Sequence, residues 1–324
     1  MRGVASVYPA RGRNAWILGQ RPPRPGVLDP YKPQGVFLET ERQASGTLAS
    51  SGVVLITNRE CRWRCLMCDL WKGTTPESVP QGAIAHQVES AVRTWSEAGA
   101  LPEQVKLYNS GSFFDPAAIP PSDYGPIARH ICFARHTVVE SHPLLVGDRA
   151  LELRDALSGS LEVALGLETA HPDVLKMLNK GFDLGQFSRA AEFLGGSGIA
   201  LRVFLLVNPP FIEGPASLEW TVKSAEYAFS CGASAVTLIP TRVGNGAMER
   251  LRDSGEFVPP TLEGLEAAQR AVLALGRGRV FADTWGLEQF SACPRCFADR
   301  LRRIEAVNLS QFDAPSVRCT VCDN

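Results

Sequence analysis

From about residue 48 to residue 245 the chain alternates two patterns. Apolar, β-branched runs of strand length recur at Val53–Thr57, Gln104–Tyr108, Thr137–Glu140, Leu161–Leu165, Leu201–Val207 and Ala235–Ile239. Between them lie stretches with helical spacing, at Ile84–Ala98, Pro172–Leu178, Leu184–Leu194 and Leu218–Cys231. This alternation predicts an α/β fold with a parallel sheet, and six such units predict a partial (β/α)6 barrel. In βα barrels the chemistry sits at the C-terminal ends of the strands, so the residues that follow each run are the ones to read. Residues 1–47 are rich in Pro and Gly and show no sustained periodicity. They predict an N-terminal extension, either a flexible arm or a packing strap. In residues 246–324 the pattern fades to one helix, Leu262–Leu275, and one strand-like run, Arg279–Thr284. That predicts a small C-terminal region.

Directly after the first run stands Asn58-Arg59-Glu60-Cys61-Arg62-Trp63-Arg64-Cys65-Leu66-Met67-Cys68-Asp69. The spacing is Cys-x3-Cys-x2-Cys. Three thiolates on one tight loop can hold three irons of a [4Fe-4S] cubane and leave the fourth iron open to a ligand. Four would close the cluster and suit it to electron transfer. Zinc usually takes four ligands and favours Cys-x2-Cys pairs. A disulfide framework is disfavoured by the odd count and by the poor geometry of close-spaced thiols.

A second set is Cys293-Pro294-Arg295-Cys296, then 22 residues, then Cys319-Thr320-Val321-Cys322. Two Cys-x2-Cys pairs at this separation signal a metal, and they suit either tetrahedral zinc or a second [4Fe-4S] cluster. The glycine that often follows such a knuckle is replaced by Phe297 and Asp323. The two remaining cysteines, Cys132 and Cys231, lie in apolar helix-like stretches and are expected to be small buried hydrophobes. Seven of nine cysteines in clusters suit a reducing cytoplasm, where thiolates stay available to metal. No apolar stretch approaches the ~18 to 20 residues of a membrane span, and the first residues lack the apolar core of a secretory leader. A net charge of −1, carried by 27 Arg, 6 Lys and 34 acidic residues, makes no global field for nucleic acid.

The three-cysteine motif resembles the signature of the radical SAM superfamily. That resemblance implies a TIM-like partial barrel whose open iron chelates S-adenosylmethionine, with one electron splitting the sulfonium to a 5′-deoxyadenosyl radical. It also implies roles for residues at the strand ends. Met67, before the third cysteine, stands where an aromatic often packs on the adenine. Asn109, Ser110, Gly111 and Ser112 follow the second run, where a glycine-rich turn offers carbonyls to the methionyl ammonium and Gly111 allows close approach. Glu168 follows the fourth run, placed to accept from the ribose hydroxyls or pair with the ammonium; the alternative is a pair with Lys176 or Lys180. Arg202 is expected to fork onto the methionyl carboxylate. Asn208, leading into Pro209-Pro210-Phe211, is expected to shape the adenosine pocket, and Pro240-Thr241-Arg242 to border the adenine. Glu140 and His142 end the third run as a substrate carboxylate and a loop histidine.

Five segments are similar to one branch of that superfamily: Asn58 to Trp71, Asn109-Ser110-Gly111-Ser112-Phe113, Gly166-Leu167-Glu168-Thr169, Asn179-Lys180-Gly181-Phe182 and Leu205 to Phe211. They resemble the radical SAM subunit of archaeosine synthase and, more distantly, the radical SAM domain of the elongator acetyltransferase subunit. That branch acts on a lysine-modified deazaguanine in tRNA, breaking a C–N bond. The chain itself shows no basic tract or aromatic-interleaved patch for RNA, so tRNA is not supported by charge. The expectation is therefore a radical SAM enzyme of lyase-like or rearranging type acting on a small molecule or modified nucleoside. Its electron donor is expected to be a reductase or flavodoxin-type protein. A tRNA-modifying lyase of the archaeosine-synthase type that borrows RNA binding from a partner subunit, sulfur insertion through an auxiliary cluster, and a zinc-stabilised scaffold without radical chemistry are the alternatives.

Overall fold

The computed structural model describes residues 6–322. In chain order it runs α1 (Arg13–Gln20), β1 (Gly35–Arg42), β2 (Leu48–Leu55), α2 (Ala83–Glu97), β3 (Gln104–Tyr108), α3 (Tyr124–His130), β4 (His136–Ser141) and α4 (Asp148–Ala156). It continues with β5 (Ser160–Glu168), α5 (Pro172–Met177), α6 (Leu184–Gly196), β6 (Ala200–Val207), α7 (Pro215–Ser230) and β7 (Ala235–Pro240). The last elements are α8 (Ala247–Asp253), α9 (Leu262–Leu273), β8 (Arg279–Ala282) and α10 (Pro294–Ser310). One eight-stranded sheet contains every strand in sequence order. Strands β2 to β8 are parallel and β1 pairs antiparallel with β2. The curled sheet is thus a half-barrel.

The six strand runs expected from the pattern overlap β2 to β7, one to each strand. The sheet also takes in β1 from the N-terminal extension and β8 from the C-terminal region. Strand β1 hides in the sequence because Glu39, Glu41 and Arg42 interrupt its apolar residues.

The registers explain the alternation. Val54, Leu107, Val139, Val163 and Leu201 align across β2 to β6, and Val203, Val236 and Val280 align across β6 to β8. All are buried in one continuous apolar core. Each such side chain contributes about 1.5–3 kcal/mol. The partner core face comes from helices: α2 supplies Ile84, Val88 and Trp95, α6 supplies Phe187 and Leu194, and α9 supplies Leu265 and Val272. Caps fix where these helices begin. Asp183 and Gln186 form a reciprocal capping box on α6, and the Thr261 hydroxyl accepts from the Gly264 amide on α9.

The opposite face, turned into the half-barrel, is polar at its lower end. Arg202 donates to Glu162 at 2.5 Å and to both oxygens of Glu41 at 2.7 and 3.0 Å. Lys106 binds Glu39 and Glu41, and Arg279 binds Glu162 at 3.1 Å. These contacts correct the expectation that Arg202 meets the methionyl carboxylate. It lies near the N-terminal end of β6 with its guanidinium committed to two carboxylates, which leaves no fork for a ligand. The sheet opens between β1 and β8, and side chains bridge this seam. Arg279 donates to the Arg42 carbonyl, Arg42 to the Leu309 carbonyl, and Phe37 meets Trp285 edge-on at 5.0 Å.

Burial opposes the charges of Glu41 and Glu162, but Arg202 and its neighbours outweigh it and hold both carboxyls well below the ordinary 4.5. Their stabilisation is therefore complete above the ordinary carboxylate range and is lost as the pH falls through the depressed values. Arg202→Ala strips the counter-charge from two buried carboxylates. It is expected to cost about 3–5 kcal/mol, measured by urea unfolding at neutral pH, with the deficit shrinking in acid as the carboxylates protonate.

Candidate active site at the barrel mouth

The Cys61–Cys68 loop leaves β2 at the C-terminal end of the sheet, where the rule for βα barrels puts chemistry. Other elements hold it on several sides. Leu66, between the second and third cysteines, is fully buried in a second apolar cluster with Tyr8, Ile17, Met248, Leu251 and Phe257. Asn245 donates to the carbonyls of Leu66 (2.7 Å) and Cys68 (3.3 Å), and the Leu66 amide donates to the Leu178 carbonyl. Asn179 donates to the Arg64 carbonyl and to Asn14, so one side chain ties the loop to α1. Glu60 receives Arg21 at 2.7 Å and also Arg24. The N-terminal extension is thus a packing strap over the outer side of the loop.

Trp63 locks the loop from the inner side. Its ring stacks on His142 with centroids 3.5 Å apart and planes 9° apart. A Cβ on Gly181, at φ +78°, would sit 3.0 Å from the indole nitrogen. The expected loop histidine is therefore a packing residue. His142 lies within 2.8 Å of the Lys180 carbonyl, and burial, then Lys180, push it down to about 3, so it is neutral. Such a stack is worth about 0.5–1.5 kcal/mol beyond its buried area.

The 109–112 turn abuts the first cysteine. A Cβ on Gly111 would lie 3.3 Å from the Cys61 Cβ. Glu140, expected to face substrate, lies under this turn and accepts from the Asn109 amide at 2.6 Å. Burial pushes its carboxyl up to about 7, against the pull of the amides of Asn109, Ser110 and Gly111. A peptide's N–H and C=O point oppositely, so the Asn109 and Ser110 carbonyls turn away from Glu140. Ser110 has φ +54°, and Ser112 shares a 2.7 Å hydrogen bond with Ser141. The Asn109 side chain is fully buried, yet neither end of its amide has a partner among the described residues. A buried amide left in this state is a group built to meet something.

Glu168 (φ +68°) ends β5 and receives Lys180 at 2.5 Å, one of the two partners expected for it. Burial lowers Lys180, but Glu168 outweighs it and raises the ammonium above its ordinary value. Lys180 is thus the buried cation beside Cys61 and Cys65. Asn208 (φ +51°) accepts from the Ser217 hydroxyl at 2.6 Å. Met67 is half-buried and packs against both Tyr8's apolar cluster and that of Val174, Leu178 and Leu206. Thr241 donates back to the Val207 carbonyl, while Arg242 pairs with Asp283 at 2.8 Å. Ser110, Glu168, Asn179, Asn208 and Phe211 are non-glycine residues at positive φ, and all lie in strand-end or adjoining loops around this mouth. Strain of that kind collects at functional sites.

These residues fit a three-iron-ligand cluster and its ligand: a three-thiol donor set, a turn whose missing Cβ admits a neighbour, and an orphaned amide. Burial raises the Cys65 thiol to about 11, so metal binding has to displace its proton.

The second cysteine set lies at the start of α10 and the end of the described chain. Its four sulfurs lie within 4.8 Å of one another, with Cys293–Cys319 at 3.9 Å and Cys296–Cys322 at 3.7 Å. Of the two cysteines expected to be buried hydrophobes, Cys132 is exposed and Cys231 only half-buried. Both sit just past helix ends, where the apolar stripe no longer points inward.

The fold is similar to that of solved radical SAM proteins. The chain superposes on a radical SAM methyltransferase from Sphaerobacter thermophilus with a TM-score of 0.51 at 15% identity, over 78% of this chain and 74% of that one. Elp3 of Methanocaldococcus infernus, lacking its N-terminus, matches with 0.50 at 15% identity, over 61% and 51%. In sequence the chain is similar to two proteins named archaeosine synthase subunit beta. The one from Methanosarcina acetivorans is 26% identical over 230 residues, 67% of this chain and 65% of its own length. The one from Thermococcus kodakarensis is 27% identical over 243 residues, 72% and 74%. An uncharacterized protein of Methanocaldococcus jannaschii is 25% identical over 248 residues, 73% and 68%. No protein-family model matches the chain. No helix among the described residues is long and apolar enough to cross a membrane.

The tight approach of Gly111 to Cys61 gives a direct test. Gly111→Ala is expected to fold normally by circular dichroism but to retain less than half the wild-type iron after anaerobic reconstitution.

Proposed function

We propose that this protein is a radical SAM enzyme that initiates chemistry at an unactivated C–H bond, leading to fragmentation or rearrangement of its substrate. One observation carries this reading: a three-thiol loop at the mouth of a half-barrel, ringed by strained strand-end residues and an unpartnered buried amide. Cys61, Cys65 and Cys68 would hold a [4Fe-4S] cluster, which with S-adenosylmethionine and one electron would supply a 5′-deoxyadenosyl radical.

The chain's own residues bind and orient. The Asn109 and Ser110 carbonyls and the Asn109 side-chain Oδ1 are the acceptors for the methionyl ammonium, with Gly111 and Ser112 completing the turn. Lys180, held by Glu168, is the cation for the methionyl carboxylate. Glu168 keeps its second oxygen for a ribose hydroxyl. Met67, Phe211 and Asn208 supply the apolar and polar walls for the adenosine. Placing the reacting carbon and excluding water are the protein's contributions to rate.

For the C-terminal set, the reading is a single tetrahedral zinc. Four thiolates about 2.3 Å from one ion lie about 3.8 Å apart, in line with the 3.7 and 3.9 Å separations. A cubane binds each thiolate to a different iron and spreads them further. That argues for a staple tying the chain's end to α10 and against an auxiliary cluster for sulfur insertion. The relatives' name as a synthase subunit supports a partner subunit and a modified nucleoside as the substrate class, with a flavodoxin-type or other reductase supplying the electron. The radical chemistry belongs in a reducing cytoplasm.

Protein reconstituted without oxygen is expected to hold about four iron and one zinc per chain and, with dithionite, to release 5′-deoxyadenosine from S-adenosylmethionine. Cys65→Ala is expected to lose iron and product but keep zinc. Iron near eight and no zinc would overturn the C-terminal assignment; a wild type without product would overturn the enzyme. Lys180→Met is expected to weaken S-adenosylmethionine binding at least tenfold by equilibrium dialysis while leaving iron content intact.

A further inference from the structure

Positive charge frames the cysteine loop. Glu60, directly before Cys61, receives three arginines: Arg21 at 2.7 Å and Arg24, both from the N-terminal strap, and Arg64 of the loop itself at 3.3 Å. Arg64 also donates to the carbonyls of Cys61 and Trp63. Arg62, one residue after Cys61, forks onto Asp115 at 2.7 and 3.0 Å, yet 53% of its side chain stays exposed. Arg59, next to Glu60 in the chain, is exposed as well. Five guanidiniums thus face two carboxylates, an excess of three positive charges on a chain whose net charge is −1. The next charges along the loop, Asp69 and Lys72, both lie against Gly244 and offset each other.

One arginine already neutralises Glu60, and like charges held this close repel. Ion pairs near the surface return little stability, so stability does not account for the surplus. A patch of one sign does steer an oppositely charged partner and speed its encounter. Nucleic acid is polyanionic, but the rings that stack on bases are not free on this face. Trp71 is 3% exposed, with Arg21 and Arg24 over its ring, and Trp63 is stacked on His142. The chemistry at this mouth needs one electron from outside, and the arginines stand on both sides of its first cysteine.

We propose that this arginine face docks an acidic one-electron carrier protein of the flavodoxin type. The inference rests on the radical SAM reading above and adds the place where the electron enters. The transfer makes and breaks no bond. The carrier's flavin hydroquinone anion gives up one electron and becomes the neutral semiquinone, the cluster takes that electron, and no proton moves. Arg59 and Arg62, the most exposed of the five, are the contacts of the complex. Arg21, Arg24 and Arg64 are held back by Glu60 and supply the field.

The probe is recombinant flavodoxin, and its binding to immobilised, anaerobically reconstituted full-length protein is measured by biolayer interferometry. Wild type is expected to bind it in roughly 50 mM salt and to lose about tenfold in affinity by roughly 200 mM. Arg59→Glu/Arg62→Glu is expected to weaken binding about tenfold or more and to slow cluster reduction by flavodoxin hydroquinone to match, at wild-type iron content. Reduction by the 5-deazariboflavin radical, which is small and uncharged, is expected to stay within about twofold. Arg59→Glu alone leaves the Arg62–Asp115 pair intact. It is expected to lose about threefold in affinity and covers the case in which the double variant loads poorly. No flavodoxin binding, or binding indifferent to salt and to both variants, overturns the proposal. So does a tRNA transcript that binds wild type and not the double variant while flavodoxin binds both alike, a result that assigns the face to RNA. A wild type that holds no iron defeats the cluster reading itself, told apart by iron analysis and by the binding assay, which needs no electron transfer.

Discussion

Everything at the mouth depends on burying Leu66. A loop carrying three cysteines in eight residues has many backbone polar groups and little reason to stay in one shape. Sinking Leu66 into the cluster of Tyr8, Ile17, Met248, Leu251 and Phe257 fixes its centre. Asn245 and Asn179 then satisfy the carbonyls that burial strands. Two distant parts of the chain, the N-terminal strap and the segment after β7, thus meet at this spot to wall the loop. The same packing leaves the three thiols half-buried, and partial removal of water strengthens each charge interaction around them.

The half-barrel separates its duties by height. At the N-terminal end of the strands, Glu41, Glu162, Lys106, Arg202 and Arg279 neutralise one another and close the interior. At the C-terminal end, positive-φ residues turn the chain sharply around the mouth. Between these lies a sheet whose other face is apolar. Rigid packing below lets the strained turns above persist, since strain survives only where the surroundings over-determine it.

Much of this is legible in the sequence, for identifiable reasons. Strands β2 to β7 show as apolar runs because their helix-facing residues are mostly Val, Leu and Ile. The cysteine loop shows because three thiols at that spacing have few other uses. Strand β1 is hidden because Glu39 and Glu41 carry the ion pairs of the half-barrel's interior. Helix α10 is hidden because two of its buried residues are arginines: Arg300 and Arg303 are buried through ion pairs with Glu266 rather than through apolar contact. Arg202 misleads for the same cause, since pattern alone does not say at which height of the barrel a charge finds its partner. Lys180 and Trp63 stand in plain view, within Asn179-Lys180-Gly181 and between the first two cysteines. Their roles come from contacts far apart in sequence.

The central claim is that the Cys61–Cys65–Cys68 loop carries a cluster with one iron open to S-adenosylmethionine. The EPR spectrum of the dithionite-reduced protein, recorded with and without S-adenosylmethionine, tests it most directly. The account predicts a reduced [4Fe-4S] signal whose g-values shift when S-adenosylmethionine is added, and no such signal in Cys61→Ala. A spectrum indifferent to S-adenosylmethionine, or no cluster signal at all, would contradict it.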